Sequence, residues 1–354
     1  MFCRNATEAI RHLAGQLRLG ADDIVVTTVA EHHANLLPWS RPARCRYIEC
    51  GSDGTFYTSD VAAALDQWPR PALLAITAAS GITGWMPPLQ DIVDAAHHRG
   101  VPVLADAAQL APHRQLPADA DFLVWSGHKM YAPFGAGVLV GPRQALAENG
   151  QPGAAASLSE PEEAIWADPV QLGAGGSPNV IGAVALNAAI DTLSDLSWPA
   201  INAHERHIAT SMRRGLAAIP GVRLLGPGAD TDTLPVATFT VAGVPHALVA
   251  ARLAAEYAIG VGHCQFGADA YLTRLLGLTS EDVRRHRDQA RRGDRRAVPG
   301  AVRASAGINT TDDVQRLLAA VTRVAAGNPP VPYHQDPSTG AFFPPASTFP
   351  ERAA

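Results

Sequence analysis

Residues 101–141 read VPVLADAAQLAPHRQLPADADFLVWSGHKMYAPFGAGVLVG, and this stretch decides the fold class. It contains two short apolar runs, Val101–Leu104 and Phe122–Trp125, and each run leads into polar residues. Short apolar runs bounded by turn residues are typical of buried parallel strands. The first run leads to Asp106 and the second to Lys129, so both side chains are predicted at the carboxyl ends of neighbouring strands. In open α/β sheets, ligands bind at that edge.

Lys129 is the only lysine in the chain, which otherwise uses arginine as its permanently charged basic residue. Arginine stays charged at any accessible pH, whereas a lysine that loses its proton is a nucleophile and forms a Schiff base with a carbonyl. Lys129 is therefore a candidate Schiff-base residue; the alternative is a surface lysine that survived a drift in composition. Asp106 favours the first interpretation, because pyridoxal phosphate needs a lysine at its aldehyde and an acid at its ring nitrogen.

The order of motifs in this stretch resembles the class V aminotransferase family, which contains the cysteine desulfurases. The motifs that carry the resemblance are Asp106-Ala-Ala-Gln109, Ser126-Gly-His128-Lys129 and the glycine-rich return Pro133-Phe-Gly-Ala-Gly-Val-Leu. The resemblance covers nearly the whole chain and implies an α/β protein of the pyridoxal phosphate-dependent transferase fold type I. It implies a large domain with a mainly parallel, seven-stranded sheet between helices, followed by a smaller α+β domain. The expected boundaries are 1–195 for the large cofactor-binding domain, 196–330 for the small domain and 331–354 for a proline-rich tail.

The same resemblance assigns roles to individual residues. Lys129 forms the Schiff base, Asp106 keeps the ring nitrogen protonated and His32 stacks on the ring, so these three are the expected catalytic residues. Arg303 is the expected clamp for a substrate carboxylate, since a planar guanidinium offers two parallel donors. The resemblance also implies a homodimer, in which Ser177 reaches the cofactor phosphate of the other subunit. The expected cofactor-binding residues are Ala6, Thr7, His32, Asp106, Gln109, Ser126, His128, Lys129 and Ser177.

The segment Asn5-Ala6-Thr7-Glu8 predicts the start of a helix, with Asn5 as N-cap and Glu8 closing a capping box. An apolar stripe continues this helix, and Gly20 is expected to end it. Free amides and the positive dipole at a helix start suit a phosphate, which supports Ala6 and Thr7 as phosphate ligands. In the family this helix lies well inside the chain. The resemblance therefore implies that the sequence is truncated at its N-terminus or that its start site is placed too late.

Two glycines depart from the family pattern and bear on the reaction. Gly81 stands where the family has an asparagine that bonds the cofactor hydroxyl, and Gly267 stands where desulfurases have their reactive cysteine. Cys264 lies three residues earlier, and a nucleophile has to reach within about 3–3.5 Å of its target. These departures favour an aminotransferase or lyase acting on an amino acid or amine over a cysteine desulfurase or selenocysteine lyase. A truncated, non-catalytic paralogue is the third interpretation.

Bulk properties agree with a soluble enzyme, for which the cytoplasm is the expected compartment, and the resemblance implies a small-molecule substrate. The net charge is -5, and the basic run Arg284–Arg296 is interleaved with acidic residues, which argues against a nucleic-acid surface and predicts a solvated helix face. The four cysteines show neither metal-ligand nor disulfide spacing, so no metal is expected. No apolar run is long enough to cross a membrane, and no signal peptide follows Met1.

Overall fold

The computed structural model describes residues 1–116, 119–147, 155–158, 164–166 and 179–345. The chain divides into two compact units, and both are discontinuous in sequence. Unit 1 comprises Met1–Glu49, Phe56–Ser80 and Met86–Asn202. Unit 2 comprises Cys50–Thr55, Gly81–Trp85 and Ala203–Ala354. Unit 2 thus includes two short segments from within the first 195 residues.

Unit 1 contains a seven-stranded sheet with the strand order β1-β7-β6-β5-β4-β2-β3. Its strands are β1 (Phe2–Cys3), β2 (Ile24–Thr28), β3 (Arg44–Ile48), β4 (Leu73–Thr77), β5 (Val103–Asp106), β6 (Phe122–Ser126) and β7 (Gly137–Val140). The five strands from β3 to β6 run parallel, and β7 is antiparallel to both of its neighbours. Every residue of β2, β4 and β5 is buried, as in a parallel sheet covered on both faces. The predicted fold class is confirmed.

The remaining elements of unit 1 are mainly helices. They are α1 (Ala6–Gln16), α2 (Thr58–Leu65), α3 (Leu89–His97), α4 (Arg143–Ala147) and α5 (Val180–Asp195), with a two-stranded ribbon of β8 (Ala155–Leu158) and β9 (Ala164–Trp166). Helix α1 packs Ala9, Ile10 and Leu13 into an apolar core that also holds residues of β2, β4, β5, β6 and β7. This packing fixes the start of α1 against the sheet.

Two details of α1 differ from the sequence prediction. The N-cap is present, since Asn5 Oδ1 accepts a hydrogen bond from Glu8 N at 2.9 Å. The Glu8 carboxylate, however, accepts from Arg4 N at 2.7 Å and not from the N-cap amide, so the predicted capping box is wrong in its second half. The helix ends at Gln16, before Gly20, because Arg18 already adopts a positive φ of 47°.

Unit 2 contains a four-stranded antiparallel sheet with the strand order β10-β11-β13-β12. Its strands are β10 (Val222–Leu225), β11 (Val236–Val241), β12 (Gly262–Cys264) and β13 (Ala301–Ser305), and β14 (His334–Gln335) pairs with β15 (Phe342–Phe343) in the tail. Its helices are α6 (Trp198–Ala217, which begins in unit 1), α7 (His246–Tyr257), α8 (Asp269–Leu276), α9 (Ser280–Arg291) and α10 (Thr311–Ala326). Helices α6, α7 and α10 cover one face of the sheet.

Two predictions about helices can be compared with this arrangement. Helix α9 carries most of the basic run and buries no residue, in agreement with the predicted solvated helix. In the described part of the chain, no single helix is both long and apolar enough to span a membrane. The pair α5–α6, bent by 83°, reaches that length and composition only when its two helices are taken together.

Candidate active site

The carboxyl edge of the unit 1 sheet brings Asp106 and Lys129 together. Asp106 is the last residue of β5, and Lys129 ends a 3-10 turn that directly follows β6, the next strand in the sheet. The Asp106 side chain is buried, with 6% of the residue exposed, whereas Lys129 is exposed. The edge therefore presents a buried carboxyl group with an amine at the surface beside it.

The environment of Asp106 is suited to a cationic partner. Its Oδ1 accepts a hydrogen bond from Ala108 N at 3.0 Å. Burial raises the pKa of Asp106 above its ordinary value, while the Ala108 amide and the charges of Lys129 and His32 act in the opposite direction. A buried carboxylate is stabilised by a nearby positive charge, so a protonated ring nitrogen fits this position.

His32 lies on the same edge, directly after the end of β2 and before the 3-10 turn His33–Asn35. Its Nδ1 accepts a hydrogen bond from Ala34 N at 3.1 Å. A ring nitrogen that accepts carries no proton, so in the neutral ring the proton lies on Nε2. The His32 side chain is exposed, so its ring is accessible to a flat ligand.

The start of α1 meets the end of β6 at the same edge. Ala6 N donates to Ser126 Oγ at 2.8 Å, and this bond joins two of the expected phosphate ligands. Thr7 is exposed in the first turn of α1. A helix start favours an anion through its dipole and free amides, and Ser126, which accepts from Ala6 N, still has its hydroxyl hydrogen to donate to a phosphate group.

His128, another expected phosphate ligand, immediately precedes Lys129. Its ring stacks on Phe134, with ring centroids 5.0 Å apart. Burial lowers the pKa of His128, and the neighbouring Lys129 charge lowers it further. Its Nδ1 is buried and has no hydrogen-bond partner among the described residues, so it is available to a ligand.

Two further cofactor ligands were predicted. Gln109 is half-buried and lies in the turn that follows β5, on the same edge as Asp106. Ser177 lies outside the described residues. In the described ranges, no group of three or more histidine, cysteine, aspartate or glutamate side chains is placed to hold a metal ion.

Arg303 belongs to unit 2, where it occupies the middle of β13. It does not end the strand, because β13 continues through Ser305. Arg303 Nη1 donates to the Gly81 carbonyl at 2.7 Å, and the guanidinium lies 4.6 Å from the centre of the Phe266 ring. Its Nε is buried without a hydrogen-bond partner in the described part of the chain. Burial lowers the pKa of Arg303, and the charge of Cys264 opposes that shift.

The segment around Cys264 explains how unit 2 differs from the family pattern. Cys264 ends β12, which pairs with β13 so that Gly262 lies opposite Arg303. The Cys264 side chain is exposed, and its Sγ accepts a hydrogen bond from Phe266 N at 3.1 Å. Phe266 and Gly267 both have positive φ, 57° and 67°. A cysteine at position 267 would be strained in that conformation, so Cys264 is the thiol that this turn presents.

Two contributors to these environments were missed in the sequence. Phe266 covers the Arg303 guanidinium, and Glu31 is a buried carboxyl group immediately before His32. No local pattern identifies Phe266, because its contact depends on the pairing of β12 with β13. An acidic residue beside two histidines at the end of an apolar strand was a visible signal for Glu31.

Comparison with known proteins agrees with this geometry. The sequence profile of the family "Aminotransferase class-V" matches residues 1–317. A cysteine desulfurase of Cronobacter sakazakii is 31% identical over 343 residues, which cover 92% of this chain and 77% of the relative. A cysteine desulfurase of Dickeya dadantii is 32% identical over 343 residues and covers 92% and 76% of the two chains.

Solved structures give the same result. A cysteine desulfurase of Escherichia coli has a TM-score of 0.75 and 31% identity, covering 91% of this chain and 77% of that one. The apo structure of a cysteine desulfurase from Thermococcus onnurineus NA1 has a TM-score of 0.78 and covers 92% and 78%, and at 24% identity it shows the shared fold alone. This chain belongs to the class V aminotransferase family of pyridoxal phosphate-dependent enzymes.

Proposed function

We propose that this enzyme is a cysteine desulfurase or selenocysteine lyase. The observation that carries the proposal is the exposed Cys264 thiol on the strand beside Arg303. The thiol and the proposed carboxylate clamp belong to adjacent strands of unit 2, since Cys264 pairs with Ala301 and Arg303 lies two residues further along β13. Relatives named cysteine desulfurase, at 31–32% identity, support the same choice. We therefore place this function ahead of the aminotransferase or lyase that the position of Cys264 in the sequence favoured.

The residues at the carboxyl edge of the unit 1 sheet would then bind the cofactor and remove the proton from the α-carbon of the substrate. Pyridoxal phosphate supplies an aldehyde that takes up amines and a ring that accepts the electrons of a carbanion. Lys129 Nζ is the amine that binds the aldehyde and the base that removes the substrate's α-proton. Asp106 holds a proton on the ring nitrogen, and His32 covers the ring face. Arg303 binds the substrate carboxylate through its guanidinium.

The phosphate would be held by groups from several elements. Ala6 and Thr7 contribute from the start of α1, and Ser126 and His128 contribute from the end of β6 and the turn after it. The partner subunit's Ser177 completes the set. Gln109 bonds the cofactor hydroxyl, where Gly81 offers no side chain.

Cys264 would take the sulfur. Its Sγ forms an S–S bond to the substrate sulfur while the substrate's Cβ–S bond breaks, and the electron pair of that bond returns to the carbon skeleton, which a proton completes as alanine. From L-cysteine and the Cys264 thiol, the products are L-alanine and a Cys264 persulfide, so atoms and electrons balance.

Cys264→Ser is expected to lower alanine formation from L-cysteine by at least about 100-fold, because a positioned nucleophile outperforms dissolved thiols by orders of magnitude. The measurement is alanine release under single-turnover conditions, together with mass spectrometry of the persulfide. Cys45→Ser is the matched control, since Cys45 lies on β3, half-buried, and burial raises its pKa. Unchanged alanine formation in Cys264→Ser would overturn the role of this thiol.

The second candidate function is an aminotransferase or lyase that needs no thiol. The left-handed conformation at Gly267 favours it, because the turn leaves no place for a cysteine at the family's usual position. This candidate predicts that L-alanine is converted to pyruvate, or that a β-substituted amino acid loses its substituent, at equal rates in the wild type and Cys264→Ser. Product analysis by chromatography separates it from the desulfurase.

We further propose that the enzyme is a homodimer and that α5 lies at its interface. Ile181 is 81% exposed, and Val180 and Val184 on the same helix are exposed as well. Phe134, 84% exposed, lies next to Gly135, whose carbonyl accepts a hydrogen bond from the N-cap residue Asn179 of α5. Exposed apolar side chains grouped in this way mark interaction surfaces.

Ile181→Glu is expected to convert the dimer to a monomer and to weaken cofactor binding, because the partner subunit's Ser177 is then lost from the phosphate site. Light scattering coupled to size-exclusion chromatography measures the mass, and equilibrium dialysis measures the affinity for pyridoxal phosphate. Tyr57→Glu is the control, since Tyr57 is an exposed aromatic residue elsewhere in unit 1. A dimer that survives Ile181→Glu would exclude this face.

A further inference from the structure

Glu31 is a fully buried carboxyl group, 0% exposed, that the roles above leave unused. Its Oε1 accepts hydrogen bonds from Thr28 Oγ1 at 2.8 Å and from Thr77 N at 2.9 Å. Its Oε2 accepts from Asn35 Nδ2 at 2.8 Å. These donors belong to the end of β2, the end of β4 and the 3-10 turn after His32. One carboxyl group therefore ties three elements together at the edge that carries Asp106.

The same network fixes the backbone of His32. Asn35 N donates to the His32 carbonyl at 2.8 Å, so the residue that bonds Glu31 also closes the turn around His32. Asn35 Oδ1 accepts from Trp39 Nε1 at 3.2 Å, and Trp39 is fully buried. Ala34 N, inside this turn, donates to the His32 ring. The orientation of the ring thus depends on a turn whose anchor is Glu31.

Glu31 is also electrostatically linked to Asp106. Burial raises the pKa of Glu31 to about 8; its hydrogen bonds with Asn35, Thr77 and Thr28 act against that shift, and the charge of Asp106 adds to it. The groups that donate to Glu31 are neutral, and the nearby charge that acts on it is Asp106. A second carboxylate beside Asp106 is therefore disfavoured at neutral pH.

We propose that Glu31 is a positioning residue for the reaction: it fixes the turn that orients the His32 ring relative to Asp106. The inference rests on the proposed roles of His32 and Asp106 at the cofactor ring. Since His32 would touch the cofactor and Glu31 would not, Glu31 acts on the reaction through His32.

The first test uses the cofactor-free full chain. Glu31→Gln keeps the size of the side chain but lacks one acceptor oxygen, so one of the three donors loses its partner. We expect the ring ¹⁵N resonances of His32 to shift in Glu31→Gln, as followed by NMR on histidine-labelled protein. Glu205→Gln is the control, because Glu205 is a buried carboxyl group, 2% exposed, in unit 2. Unchanged His32 resonances in folded Glu31→Gln would overturn the inference.

The second test is the pH dependence of stability. Burial raises the pKa of Glu31 in the folded protein above its ordinary value of 4.5. The contribution of Glu31 to the free energy of unfolding is therefore fully present below pH 4.5 and is lost as pH rises toward about 8. Glutamine does not titrate. The Tm of Glu31→Gln minus that of the wild type, both cofactor-free, should therefore increase from pH 5 to pH 9. A difference that stays constant over this range contradicts a titrating Glu31, whereas a merely space-filling residue would give that constant difference.

The third test is kinetic and separates this inference from the proposed function. Loss of ring orientation should lower kcat in Glu31→Gln by up to about 100-fold with little change in KM, since small misplacements near a reacting group have effects of that size. If the wild type lacks desulfurase activity, the proposed function fails, and the NMR and Tm tests still decide on Glu31. If the wild type is active and Glu31→Gln has the same kcat and the same His32 resonances, the inference alone fails.

Discussion

Lys129→Ala is expected to remove the visible absorption band of the enzyme mixed with pyridoxal phosphate and to lower turnover of L-cysteine by at least about 1,000-fold. The band requires a covalent link to an amine, and Lys129 is the only lysine in the sequence. Loss of a positioned proton-transfer group alone lowers rates by about 10²–10⁴-fold. The measurements are the absorption spectrum, before and after addition of L-cysteine, and the rate of alanine formation.

Lys129→Arg is the control that separates charge from nucleophilicity. Arginine keeps the positive charge at position 129, which partly opposes the rise in the pKa of Asp106 that burial causes. It cannot release a proton or bind an aldehyde. We therefore expect Lys129→Arg to fold with a Tm near that of the wild type and to lack both the band and the activity. A band of equal intensity in folded Lys129→Ala would contradict the assignment and would favour a non-catalytic protein.

The sequence was sufficient to predict the strands that carry the site. Runs of consecutive apolar residues identify β5 and β6, because strands buried on both faces need no polar alternation. The start of β5 was predicted at Val101 and is found at Val103. Pro102 lies between them, and a proline has no amide hydrogen to donate to a neighbouring strand.

Other strands could not be predicted, because their stability depends on partners far away in the sequence. Strand β1 has only two residues and pairs with β7, which lies more than 130 residues later. Strand β3 is at the edge of its sheet and contains exposed and half-buried residues, so its pattern is not apolar. The bond from Thr77 N to Glu31 spans 46 positions, and no local pattern could indicate it.

The sequence separation between Cys264 and Gly267 was a misleading guide to the role of the Cys264 thiol. The distance from Cys264 to the family's usual cysteine position is three residues, which suggested that Cys264 lies outside the reactive loop. The pairing of β12 with β13 nevertheless places Cys264 opposite Ala301, two residues along β13 from Arg303, and the left-handed turn at Phe266 and Gly267 follows it. Strand register therefore bears on the role of this thiol more directly than its number in the sequence.

Asp106→Asn is expected to lower turnover by about 10²–10³-fold, the usual effect of removing one preorganised electrostatic group. Asparagine can still accept the hydrogen bond from Ala108 N, so the local structure should persist. What is lost is the negative charge that keeps the ring nitrogen protonated. Asp121→Asn is the control, because Asp121 directly precedes β6, at the opposite end of that strand from the site. There it accepts a hydrogen bond from Val103 N and contacts the His97 ring. Equal activity in Asp106→Asn and the wild type would contradict the role of Asp106.

The same variant should be more stable than the wild type when both lack the cofactor. Burial raises the folded pKa of Asp106 above its ordinary value of 3.8, so its stabilising contribution is present below pH 3.8 and is lost as pH rises through the folded pKa. Asparagine stays neutral. Cofactor-free Asp106→Asn should therefore have a higher Tm than the wild type at pH 7, and the gain should shrink toward pH 4. With pyridoxal phosphate bound, the wild-type carboxylate has a cationic partner, and the gain should disappear. If cofactor-free Asp106→Asn is less stable than the wild type at pH 7, Asp106 has a structural role instead. If the gain in Tm is confined to the cofactor-free form, the Asp106 carboxyl group lowers the stability of the fold and is retained for the reaction.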